Sequence, residues 1–180
     1  MSDVTDLRLI TSAGETRTAR FHGWGLVLVP LAAILFQVYL PRFFQFFQHL
    51  EMPLLVTVYF SLMRRSQIAG TFIGATVGLV QDSLSSSDQP LGASGIIKTL
   101  VGYLAASVGM RLDVDHVVIR FVLGFVFYCF HDFLQWAEGQ ALLGHTPMAF
   151  NFQQMLFQGL LNAAVGISLF HFLDKLKERS

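Results

Sequence analysis

The sequence predicts an all-α integral membrane protein built as a six-helix transmembrane bundle. Three observations lead there. Of 180 residues, 53% are hydrophobic and only 13% charged, whereas a soluble domain carries about 25% charged residues. The apolar residues gather into long segments, with the charges between them. Within the segments small residues recur every fourth position, the pattern by which helices pack closely in lipid.

Six apolar segments cover residues 24–40, 53–63, 68–80, 93–110, 117–137 and 152–173. A straight crossing needs ~20 apolar residues. The second and third segments are short, so they extend into their flanks or cross where the bundle is thin. Residues 1–22 are polar and mixed in charge, unlike the short basic start of a secretory signal, and read as a soluble tail. The helical domain then spans 23–174, and 175–180 form a basic tail.

Positive charge orients the bundle. With six spans, both termini and the second and fourth connections share one side. That side holds Arg8, Arg17, Arg20, Arg64, Arg65, Arg111, Lys175, Lys177 and Arg179, with Arg120 just inside the fifth helix; the other side has Arg42 alone. Cytoplasmic loops collect Lys and Arg, so both termini are expected in the cytoplasm. Between the first two spans, Phe43, Phe44, Phe46 and Phe47 fall on one helical face, with Gln45, Gln48 and His49 on the other. This suits a short helix lying in the outer interface, or else a frayed start to the second span.

Composition also excludes. Net charge is zero, which leaves no basic face for nucleic acid. The single Cys129 lies in an apolar run and reads as a buried thiol. The six histidines are scattered without metal-ligand spacing, and residues 83–90 lack the glycines and lysine that cradle phosphates. No cofactor or metal is expected.

Gly70, Gly74 and Gly78 repeat every four residues, with Asp82 next in the series; Gly102 and Ala106 repeat the pattern in the fourth helix, and Gly159 and Ala163 in the sixth. Such a face either packs inside the bundle or forms a docking groove for another protein's helix. Asp82, Lys98, His131 and Asp132 are ionisable residues at or near the outer half of the membrane, where such groups pair, face water or reach the headgroups. An Asp82–Lys98 pair is one arrangement the spacing permits.

Pro53-Leu54-Leu55 and Tyr59, the Gly70/Gly74/Gly78/Asp82 series, Leu91-Gly92 and Gly102-Tyr103-Leu104 together resemble the bacterial rod shape-determining MreD family in order and spacing over residues 53 to 110. The resemblance implies a non-catalytic membrane scaffold of the cell-elongation complex in the bacterial cytoplasmic membrane. It implies binding to the single-span protein MreC and, through it, a link to MreB, RodA and a class B transpeptidase. It also implies a fold similar to the substrate-binding subunits of energy-coupling-factor transporters. Gly70, Gly74, Gly78, Asp82, Gly92 and Gly102 would pack a partner helix or support its docking.

Two other functions compete. A vitamin-transporter subunit would place a ligand among Asp82, Lys98 and His131. An intramembrane protease is suggested by Gly92-Ala93-Ser94-Gly95, which matches the GxSG of rhomboids. A serine nucleophile needs a base within hydrogen-bond reach. His171, the only histidine of the sixth span, lies at that span's cytoplasmic end, so Ser94 is expected to cap or pack the fourth helix.

Overall fold

A computed structural model describes residues 24–85, 92–141 and 150–175. These residues form six α-helices: α1 (Gly25–Tyr39), α2 (Met52–Arg64), α3 (Gln67–Leu84), α4 (Ala93–Gly109), α5 (Val117–Ala141) and α6 (Phe152–Asp174). Each coincides with one apolar segment of the sequence. The N-terminal tail, most of the 83–90 turn and residues 176–180 lie outside the described residues.

α2 is the central post. Every residue from Pro53 to Met63 is buried, and the helix touches all five others. Its sequence dictates this, because a helix that is apolar all round has no face to offer water. Pro53 sits in the first turn, where its missing N–H costs nothing. At the far end Arg65 adopts a left-handed backbone, φ 48°, and Ser66 restarts the chain by capping α3 through Ala69 N–H at 3.4 Å.

Among the described residues, three helical segments are long and apolar enough to cross a membrane: Gly25–Arg42, Val117–Gln140 and Phe152–Asp174. The 13 residues of α2 reach only ~20 Å, against a hydrocarbon core of ~30 Å. The remaining helices, α3 and α4, have 18 and 17 residues.

Consecutive helices from α2 onward run in opposite directions. At one end Gly109 of α4 lies against Leu62 of α2. There Asp174 of α6 receives both Arg120 of α5 and Tyr59 of α2. Arg64 ends α2, and Arg65, Arg111 and Lys175 follow helix ends at this pole. At the other pole Asp82 meets Gly92, and Glu51 meets Asn162. Large apolar side chains such as Val27, Phe72, Val118 and Phe157 point outward.

One sequence expectation is corrected here. Residues 42–49 do not form an α-helix with a single aromatic face. They form two short 3-10 turns, Leu40–Arg42 and Gln45–His49, separated by an extended Phe44. Phe47 tucks edge-on against Phe36 at 5.3 Å, while Phe43, Phe44 and Phe46 stay exposed. The segment folds this way because it must bridge α1 to α2 closely enough for Gln37 Oε1 to accept the Met52 N–H, 3.3 Å away.

Candidate functional site: a glycine seam and a buried polar cluster

The glycines of α3 are filled by α4 of the same chain. A Cβ on Gly70 would overlap the Gly102 carbonyl, and one on Gly74 the Lys98 carbonyl. At Gly78 it would stand 2.5 Å from Gly95 Cα. Gly102 in turn lies on the Gly70 carbonyl, and Gly109 on that of Leu62. α4 is thus wedged between α2 and α3 at backbone contact, gaining the dispersion that close packing allows. Of the two readings of this face, internal packing is the one found: α4 fills it, and these residues can serve a partner only by holding up the surface it meets. Gly159, against Phe125 and Cys129, and Gly124, against Ala163, make a second seam between α5 and α6.

Asp82 closes the α3–α4 connection. Its Oδ2 accepts the N–H of Gly92 at 2.9 Å and of Gly95 at 3.3 Å. Gly92 is the N-cap of α4, with a left-handed φ of 103° that a residue with a side chain rarely adopts. A carboxylate borrowed from α3 therefore supplies the cap that Gly92 lacks, favoured by the positive end of the α4 dipole. Ser94 does not cap; it is buried in the first turn, its carbonyl against Gly78.

The Asp82–Lys98 pair that the spacing permits is not the one formed. Lys98 is wholly buried; its Nζ lies 4.0 Å from Glu51 Oε2 and 3.4 Å from His131 Nε2. An ammonium only donates, so the imidazole accepts through Nε2. Glu51 holds the approach to α2. Its N–H donates to Asn162 Oδ1 at 2.8 Å, and Asn162 Nδ2 donates to the carbonyls of His49 (2.8 Å) and Gln158 (2.9 Å). Tyr128 O–H completes the chain to Gln158 Oε1 at 2.8 Å. Helices α4, α5 and α6 and the α1–α2 connection are thereby tied at one pole by groups too costly to bury unpaired.

The sequence reading named Lys98 and His131 but not Glu51 or Asn162. Glu51 stands directly before a Pro-started apolar helix, and Asn162 is the one asparagine inside the sixth apolar run. An amide deep in an apolar run marks an interhelical hydrogen bond, and that signal could have found it.

The surface openings include two with contrasting walls. An apolar groove of about 240 Å³ runs between α1 and α3, walled by Leu26, Pro30 and Ile34 on one side and Phe72, Thr76 and Val80 on the other. A polar cleft of about 340 Å³ lies between α5 and α6 at the Glu51 pole. Among the described residues no group of three or more His, Cys, Asp or Glu is arranged to hold a metal ion. No protein-family model, curated protein or solved structure matches the chain.

Proposed function

We propose that this chain is a non-catalytic scaffold of the bacterial cell-elongation complex, lying in the cytoplasmic membrane with all six helices and both termini facing the cytoplasm. Its direct partner is the transmembrane helix of a single-span, MreC-like protein, which links it to MreB, RodA and a class B transpeptidase. The resemblance to the MreD family, and with it a likeness to energy-coupling-factor substrate-binding subunits, belongs to this proposal.

The observation that carries it is the groove between α1 and α3. Its walls are almost wholly apolar and lie among outward-facing Val27, Leu31 and Phe72, which suits a helix arriving from lipid. Pro30 lines it and cannot supply the intrahelical donor for the Leu26 carbonyl. The glycine seam lies directly behind, so α3 is a stiff wall. The short helices α2 and α4 fit a bilayer because protein surrounds α2 and flanks α4 on two sides; buried helices need no lipid-matched length. Arginines gathered at one pole support cytoplasmic termini.

The test is gentle extraction of the tagged chain from its host, with identification of what copurifies. A single-span partner with elongation synthases is expected, and Thr76→Trp, which plugs the groove at an exposed position, should release it while leaving thermal stability unchanged. Copurification of an energy-coupling ATPase, or a partner retained by the plugged variant, overturns the reading.

A further inference from the structure

The α5–α6 cleft is separate from the groove, and its lining has a definite chemistry. Asp132 is the only formally charged residue among its described walls; the others are Gln135, Gln154, Gln158 and Asn151, with Trp136, Phe150 and Met155. Asp132 is half-buried and has no hydrogen-bond or ion-pair partner among the described residues. Among the described residues no cation answers this carboxylate.

The aromatic side is arranged for one. Trp136 and Phe150 meet edge to face with centroids 5.4 Å apart, and Phe133 closes on both at 6.0 and 6.3 Å. Aromatic faces beside one carboxylate attract a positive group too weakly hydrated to prefer water. An anionic guest would meet Asp132 without any cation among the described walls to offset it. The floor is fixed, because Gln158 is bound to Tyr128 and Asn162, the same network that holds Glu51. Asn151 is likewise engaged, capping α6 through Gln154 N–H at 3.1 Å.

Depth narrows the class further. Asp132 lies nine residues before the end of α5 and Gln154 in the first turn of α6, at the pole opposite the arginines. Half-exposed Trp136 marks the headgroup level of a bilayer. We infer that the cleft between α5 and α6 binds a small alkylammonium group, seated between the Asp132 carboxylate and the Trp136–Phe150 faces. The group is carried by a free amine or by the ethanolamine headgroup of a lipid.

The full chain in phosphatidylglycerol nanodiscs is melted with ethanolamine chloride or tetramethylammonium chloride against sodium chloride of equal ionic strength. A second series replaces part of the phosphatidylglycerol with phosphatidylethanolamine. Ligands that bind only the folded state raise the melting temperature in a saturable way. A rise with the free salts assigns a soluble amine; a rise only with phosphatidylethanolamine assigns the headgroup. In either case Asp132→Asn should abolish the rise, and Trp136→Leu should weaken the apparent affinity about tenfold. The unliganded Asp132→Asn protein should melt as the parent does, since its carboxylate has no partner among the described residues to lose. No rise in any series, or an equal rise in both variants, overturns the inference.

Discussion

Gly74 and Lys98 meet backbone to backbone: a Cβ on Gly74 would occupy the space of the Lys98 carbonyl. The contact does two things at once. It brings α3 against α4 without intervening side chains, and it fixes the turn of α4 from which the buried Lys98 reaches Glu51 and His131. The glycine seam and the polar cluster are consequently one mechanical unit.

Any side chain at Gly74 must push the two helices apart. Overpacking of a tight interior costs ~1–3 kcal/mol, and more when the obstacle is backbone. Gly74→Ala should lower the melting temperature of the purified protein clearly, and Gly74→Leu should prevent its accumulation. A contrasting change is Gly139→Ala, since a Cβ there meets nothing among the described residues within 4 Å; it should be neutral or slightly stabilising through helix propensity. Equal effects of Gly74→Ala and Gly139→Ala would refute the seam.

Removing one member of a buried ion pair strands the other. Lys98 is fully buried and the Glu51 side chain is mostly so, and such truncations cost ~3–5 kcal/mol. Lys98→Met should therefore destabilise strongly. Adding Glu51→Gln to it should restore part of the loss, because an amide is cheaper to leave beside a thioether than a carboxylate is. A double-mutant cycle on thermal melting reads the coupling; strict additivity would show that the two groups do not interact.

Asp82 acts as a cap supplied from outside its helix. Asp82→Ala should cost ~1 kcal/mol and should raise hydrogen exchange first at the Gly92 and Gly95 amides. Asp82→Asn should keep much of the stability, because its amide oxygen still accepts. An Asp82→Ala protein with unchanged protection at both amides would contradict the capping geometry.

At the opposite pole Arg120 is buried, donates to Asp174 and, through Nε, to the Val114 carbonyl at 2.7 Å. Tyr59 O–H donates to the other Asp174 oxygen at 2.8 Å. Tyr59→Phe should cost ~1 kcal/mol, one hydrogen bond. Asp174→Ala should cost more, because it leaves the Arg120 guanidinium buried beside Asp115, whose carboxylate is 3.4 Å away and exposed. Unfolding midpoints in a common detergent rank the two; the reverse order would deny Asp174 its role as the shared acceptor.

The helices were legible because each is a continuous apolar run broken by turn and charge, and their observed ends move by only a few residues. The 42–49 segment was not, because four phenylalanines suit a helix face as well as two tight turns; the choice came from the distance between the ends of α1 and α2. The glycine face showed its capacity for close approach, but its neighbour could not be named from spacing alone. Asp82 illustrates the same gap. Its position at the end of α3 was clear, yet whether it pairs with Lys98 or caps α4 depends on how the α3–α4 turn closes.

Local pattern alone determined where this chain is helical, which runs are long and apolar and which pole gathers the arginines, since those follow from side-chain chemistry within a few residues. Only the tertiary structure decided that Lys98 answers to Glu51 and His131, that α3's glycines belong to α4, and that Asp132 is left facing a cleft. Each joins segments distant in sequence, such as Gly74 with Lys98, and an ionisable side chain can satisfy its charge with any partner that packing brings within reach.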